Sequence, residues 1–260
     1  MKTVALVLVL SLFVAPRASA NGPFDPFGLA RVTPRPDARA PMHLGFRDQN
    51  GRPVTLGALA DGRPLVLAPV QHGCRTLCGL TLQGLKAAVD GQSFQPGRDF
   101  TLVAFGIDPR ETPAAAAVSA RRLGGDGRAG MVGLVGQPGP IAAVTGALGY
   151  HYAWDPISLQ YAHVAGVAVL TPDGRLTRWV MGLNPTPADL HAAIDQARQG
   201  DAGGVVEQIR LLCFHYDPST GRYSLAAWRL AQGASLAGAV GLGGGIGLAF
   251  WRGRRRRGGA

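Results

Sequence analysis

The sequence predicts an α/β sandwich, in which helices pack against a central mixed sheet. Three observations carry this. Apolar runs at 64–70 (PLVLAPV), 100–107 (FTLVAFGI) and 131–135 each precede a stretch with helical character, the alternation expected of a layered α/β fold. Two later apolar runs, 164–170 and 176–181, flank Thr171-Pro172-Asp173-Gly174, whose proline and glycine suit a tight turn. The chain has 260 residues, 47% of them hydrophobic and only 16% charged, which is enough for one substantial core and too apolar for disorder.

Taken in order, residues 1–20 read as a secretory signal peptide. Lys2 gives a positive start, 4–14 is almost wholly apolar, and Ala18-Ser19-Ala20 supplies a small-residue cleavage site. The apolar run spans about 11 residues, too short to cross a bilayer. Residues 21–43, rich in proline, glycine and arginine and without an apolar period, read as an extended leader. The folded domain is expected over 44–200. It opens with a hairpin around Asp48-Gln49-Asn50-Gly51, where the Asn-Gly pair favours a tight turn. After the strand at 64–70 comes a cysteine-bearing turn. A helix follows over 76–89, on which Leu77, Leu80, Leu85 and Ala88 recur at near-helical spacing. Thr112 opens an alanine-rich helix with Pro113 in its first turn. Helices at 138–148 and 187–198 complete the domain.

Residues 201–229 form a juxtamembrane segment, in which 205–216 (VVEQIRLLCFHY) reads as a short helix. The next 22 residues, 230–251, carry no charge. As a helix they rise about 33 Å, enough to cross the hydrocarbon core. Trp228 and Trp251 bracket the segment, and Arg252, Arg254, Arg255, Arg256 and Arg257 lie in the basic tail at 252–260. The positive-inside rule puts that tail in the cytoplasm and the domain on the periplasmic, extracytoplasmic side, anchored by a transmembrane helix.

This topology changes the meaning of the net charge of +10. Five positive charges belong to the tail and one, Lys2, to the signal, which leaves about +4 for the exported part. The domain carries no dense basic stripe with interleaved aromatics, so nucleic acid is excluded as a partner.

Cys74-Arg75-Thr76-Leu77-Cys78 places two thiols four residues apart at the mouth of a predicted helix. Helical positions i and i+4 share a face, about 5–6 Å apart, so one metal ion can touch both sulfurs. The helix N-terminus favours thiolate over thiol. Thiolates are soft ligands that suit copper(I), and an added imidazole helps hold copper(II). Zinc competes, although a structural zinc site usually has four protein ligands. Two metal-free readings stand beside these. One is a structural disulfide closing a very short loop, and the other is a redox-active pair at a strand-to-helix junction, the arrangement of thioredoxin. Three intervening residues, where the usual redox motif has two, weaken the redox reading.

HGCRTLCGLTLQGL after a buried strand, GIDPRETP about 30 residues later and YAHVAGVAVLTPDGRL further on, in that order, resemble the Sco/SenC family of copper-delivery proteins. The resemblance runs from about Arg47 to Arg198 and implies a thioredoxin-like sandwich. It implies copper as the cofactor, held by both cysteines of a Cys-x3-Cys motif and a distant histidine: by position Cys74, Cys78 and His163. It further implies a metallochaperone that delivers copper to a respiratory cytochrome c oxidase by ligand exchange, without covalent catalysis. The partners implied are the oxidase copper-site subunit, other periplasmic copper carriers and thiol reductants. The alternative is a membrane-tethered thiol-disulfide reductase acting on partner cysteines through Cys74 and Cys78. Two departures alter the surroundings of the site rather than its ligands: Arg75 replaces a common proline, and Ala162 replaces an aspartate common before the histidine. The segment LLCFHYDPSTGRY and the C-terminal span look like those of a bacterial membrane-anchored branch.

Other residues draw weaker expectations. His163 alone, at a strand edge, is unremarkable, and the resemblance singles it out. Asp108, at the end of a predicted strand on the cysteine edge of the sheet, is placed to tune the site or meet a partner, or equally to make a turn. His72, two residues before Cys74, is an auxiliary-ligand candidate. Cys213 and His215 form a Cys-x-His pair before the predicted span, with a buried small apolar role as the simpler reading of Cys213.

Overall fold

The computed structural model describes residues 26–202, apart from 34, 36, 75, 76 and 126–129, together with the strands at 214–217 and 222–225. The chain enters through α1 (Pro26–Leu29), β1 (Arg31–Val32), β2 (Gly45–Asp48), β3 (Pro53–Thr55) and α2 (Leu56–Ala60). It continues through β4 (Leu65–Val70), α3 (Leu77–Asp90), β5 (Thr101–Gly106), α4 (Pro113–Arg122), β6 (Met131–Val135) and α5 (Pro138–Ala147). Three short strands follow, β7 (Tyr150–His151), β8 (Ala153–Asp155) and β9 (Gln160–Ala162). The domain closes with β10 (Gly166–Leu170), β11 (Leu176–Met181) and α6 (Pro187–Arg198), and β12 (Phe214–Asp217) and β13 (Arg222–Leu225) form a separate antiparallel pair.

Seven strands make one sheet in the order β11-β10-β4-β5-β6-β2-β3. The three central strands are parallel and the outer ones antiparallel, which is the mixed sheet expected from the sequence. β4 and β5 are buried along their whole length because both faces are covered, hence their continuous apolar runs. Side chains leave a strand alternately, so β4 sends Leu65 and Leu67 to one core and Val66, Ala68 and Val70 to the other. The first core packs under α5 through Ile141 and Val144. The second packs under α3 and α6 through Leu82, Leu85, Leu190 and Ile194.

Local chemistry fixes the boundaries. Thr112 and Thr186 cap α4 and α6 by accepting from Ala115 N and Asp189 N, and each cap is followed by a proline in the first turn. Gly51 and Gly174 take φ of 79° and 87° in the two predicted turns, a region that glycine enters without steric cost. Parts of the leader pack on the domain. Ala38 and Ala40 are buried, Ala40 N donates to Gly174 O, and β1 pairs with β7.

One reading needs correction, and one element was not foreseen. The helix expected over 205–216 is not continuous, since Phe214–Asp217 is a strand paired with Arg222–Leu225; residues 205–213 lie outside the described residues. Pro218 and Gly221 between the strands are turn formers, and they outweigh the helical spacing. The sequence reading also missed the β8–β9 hairpin. Among the described residues no helix is long and apolar enough to cross a membrane, and the predicted signal at 1–20, the span at 230–251 and the tail lie outside them.

Candidate metal centre

Sheet register assembles the site. β10 runs antiparallel to β4 with Ala168 opposite Leu67, so the residues just before Gly166 lie beside those just after Val70. His163 and the cysteine turn thereby share one sheet edge. β5, parallel to β4 with Val70 opposite Gly106, delivers Asp108 to the same edge. A ligand site at the carboxyl ends of parallel strands is where open α/β sheets usually place one.

Cys74 is buried, on a turn closed by its own N–H donating to Gln71 O at 3.1 Å. Cys74 lies outside α3, on the turn, while Cys78 lies within the helix. The two cysteines are therefore not both on the helix, as the i, i+4 reading assumed: the turn, not the helical repeat, sets the position of Cys74. The side chain of Cys78 lies outside the described residues.

His163 is half-buried just ahead of β10. Its Nδ1 lies 3.0 Å from the Tyr150 hydroxyl and 3.3 Å from Val164 O. Burial is the main influence on the ring and holds its pKa below the ordinary imidazole range, against the Val164 carbonyl and the negative charge of Cys74, which pull upward. Burial thus favours the uncharged form of the imidazole. The electrostatic effect of Cys74 reaches both His163 and Glu111, placing thiol, imidazole and carboxyl in one neighbourhood.

Asp108 makes the turn and ties the site together. Its carboxylate accepts from Arg110 N at 3.0 Å and from Arg110 Nε and Nη2, each at 2.8 Å. Burial works to raise this carboxyl, and the Arg110 bonds outweigh it, so it stays below the usual carboxylate range. Gln71 Nε2 donates to Asp108 Oδ2 at 3.4 Å, while Gln71 Oε1 accepts from Tyr161 N at 3.0 Å. One amide side chain thus links the cysteine turn, the Asp108 loop and the β8–β9 hairpin. The Arg110 guanidinium lies 4.1 Å over the Trp154 ring, a cation–π contact that holds the hairpin from the other side.

Glu111 was not foreseen. Its Oε1 accepts from Gly73 N at 2.6 Å, while Oε2 is buried with no hydrogen-bond partner among the described residues. Burial above all lifts its pKa to about 7; the Gly73 and His72 N–H groups oppose the lift, and the charges of Asp108 and Cys74 add to it. In the unfolded chain the carboxyl ionises near 4.5. Between that value and about 7 the unfolded chain has lost a proton that the folded chain retains, so this group's contribution to stability is full below the window, falls through it and levels off above. Glu111→Gln keeps the acceptor for Gly73 and removes the titration. The variant is expected to flatten the fall of Tm between about pH 5 and pH 8 and to exceed wild type at the upper end, which thermal denaturation checks.

The structure does not bring His72 to the site. Its Nδ1 is 2.8 Å from Ser119 Oγ and its Nε2 2.8 Å from Leu134 O, so both nitrogens are engaged in the core between α4 and β6. Closeness in sequence to Cys74 misleads here because the turn sends the two side chains apart. Cys213 lies outside the described residues, and His215 is placed only by its backbone, opposite Ser224. Tyr150, Tyr152 and Trp154 were legible in principle, since aromatics at alternate positions mark a strand.

The donors fit a soft metal such as copper: a buried cysteine at a strand-to-helix turn and, across the same edge, an imidazole whose uncharged form burial favours. Among the described residues no group of three or more His, Cys, Asp or Glu side chains converges on one point.

The family model for SCO1/SenC matches residues 34–199. Among solved structures, a putative electron transfer protein from Aquifex aeolicus VF5 is 21% identical with a TM-score of 0.58, over 64% of this chain and 96% of that one. A SCO1/SenC family lipoprotein from Bacillus anthracis str. Ames is 15% identical with a TM-score of 0.50, over 63% and 98%. ScoI from Bradyrhizobium japonicum, solved with copper bound, is 21% identical with a TM-score of 0.49, over 63% and 99%. The first two likenesses concern the fold, and the central mixed sheet fits a thioredoxin-like sandwich. No curated protein matches the chain.

Proposed function

The chain belongs to the SCO1/SenC family, and on that premise we propose that its domain is a copper metallochaperone. Copper is the cargo. It is accepted by Cys74, Cys78 and His163 and passed by ligand exchange to the copper-site subunit of a respiratory cytochrome c oxidase, with no covalent step. The observation that supports this most is the pairing of β10 with β4, which sets His163 beside the turn of Cys74 although the two are far apart in sequence. Export and tethering belong to the same reading: the pattern at 1–20 supports secretion, and 230–251 with its arginine cluster supports an anchor that keeps the domain periplasmic and the tail cytoplasmic. Periplasmic copper carriers and thiol reductants are the upstream partners.

The full chain, purified in detergent, is expected to bind one copper ion with thiolate-to-copper absorption, and counting free thiols during the titration shows whether both cysteines must be reduced. Absence of uptake by the reduced protein overturns the reading.

The second reading, a thiol-disulfide reductase, draws on the placement of Cys74 between β4 and α3, the junction where redox thiols sit in thioredoxin-like folds. Turnover of a disulfide substrate that survives His163→Ala, without copper uptake, decides for it.

A further inference from the structure

The hydrogen bonds around His163 decide which ring nitrogen is offered to a metal. A carbonyl oxygen only accepts, so the contact of Nδ1 with Val164 O at 3.3 Å is a hydrogen bond only when the proton is on Nδ1. The Tyr150 hydroxyl donates its own proton to that same carbonyl at 2.9 Å. With the proton committed there, the hydroxyl meets Nδ1 at 3.0 Å through its lone pairs, and Nδ1–H is again the donor. Only the Nδ1-protonated tautomer turns all three contacts into hydrogen bonds at once. A neutral imidazole protonated at Nδ1 keeps its lone pair on Nε2.

Tyr150 is held firmly for this purpose. Its side chain is only 2% exposed, its ring stacks on Trp179 at 5.3 Å and 16°, and its backbone pairs with Val32 of β1. Ala162, the residue before the histidine, has no polar group to orient the ring. A phenol also differs from a carboxylate in this role, because it holds the imidazole without adding a negative charge that favours the imidazolium, which cannot bind metal.

We infer that Tyr150 is a positioning residue for metal binding: its hydroxyl bridges Val164 O and His163 Nδ1, fixing the ring and its tautomer so that Nε2 is the copper ligand. This deepens the copper reading given above and rests on it. Outer hydrogen-bond partners of metal-ligating histidines typically account for about 10–100-fold in affinity, which sets the size of the expected effect.

The test uses the full chain with 15N-labelled histidine, purified in detergent without metal and held at about pH 8, above the ordinary imidazole range. Wild-type His163 is expected to show a protonated Nδ1 and an unprotonated Nε2. Tyr150→Phe keeps the ring and its stack on Trp179 and removes only the hydroxyl. Its His163 resonances are expected to move toward the average of a ring exchanging between tautomers, and its copper Kd to weaken by about 10–100-fold. Tyr152→Phe removes the hydroxyl of a neighbouring ring, one that faces Thr145, and is expected to leave both unchanged. A protonated Nε2 in wild type overturns the inference. So does a Tyr150→Phe protein whose resonances or copper Kd match wild type, or a Tyr152→Phe protein that shows the same changes. Failure of wild type to take up copper refutes the copper reading instead, and the metal-free spectra still decide the role of Tyr150.

Discussion

Cys74→Ser is expected to abolish copper uptake while leaving the domain folded. Serine is nearly the size of cysteine, and the turn is held by a backbone bond from residue 74 to Gln71 O that the substitution preserves. What changes is the donor: a hydroxyl ionises far less readily than a thiol and is a hard ligand for a soft ion. Loss of an outer partner already costs up to about 100-fold in metal affinity, so loss of a direct ligand is expected to exceed that. Cys78→Ser should behave alike. His163→Ala should weaken binding by a similar order while retaining some thiolate-to-copper absorption, because the sulfurs remain. Copper titration followed by absorption, with circular dichroism to check folding, makes the comparison. Unchanged binding in both Cys78→Ser and His163→Ala excludes this ligand set.

Phe105→Ala is expected to produce the largest loss of stability. Phe105 is fully buried in β5, packed edge-on against Phe46 at 5.3 Å and 67°, with Pro69 and Leu134 opposite it on the two flanking strands. Truncating a buried phenylalanine costs about 3–5 kcal/mol through lost burial and the cavity left behind. Domains of this kind are stable by only about 5–15 kcal/mol, so a large part of the margin goes. At about 2–4 °C per kcal/mol, Tm should drop by roughly 10 °C. Thermal or urea denaturation measures it, and a loss below about 1 kcal/mol contradicts the packing of this face.

The sequence was most informative where one physical pattern ran without interruption. The strands Met131–Val135 and Leu176–Met181 and the helix Pro187–Arg198 appear at their expected limits, because apolar alternation or helical spacing continues to the end of each and turn formers or a capping threonine stop it. The β8–β9 hairpin escaped notice because its residues are half-buried aromatics and polar groups with no continuous apolar run. His163 had nothing local to mark it. Its place beside Cys74 depends on pairing between strands about 100 residues apart, which no window of sequence contains, and only the resemblance pointed there. Glu111 lay beyond reach for another reason: its pKa comes from burial, and burial is a property of the packed chain. His72 shows the reverse error, in which proximity along the chain was taken for proximity in space.

The antiparallel placement of β10 beside β4 also orders events during synthesis. A growing chain exposes both cysteines long before residue 163 exists, and even a complete chain lacks the histidine's contribution until β10 has docked across about 100 residues of intervening structure. Small zinc domains use the ion to drive folding. Here the two cores, from Leu65 and Phe105 to Leu190 and Ile194, are formed by apolar side chains that include neither Cys74 nor His163. On the copper reading proposed above, loading is expected to follow folding, and the metal-free chain is expected to unfold in one cooperative transition on heating.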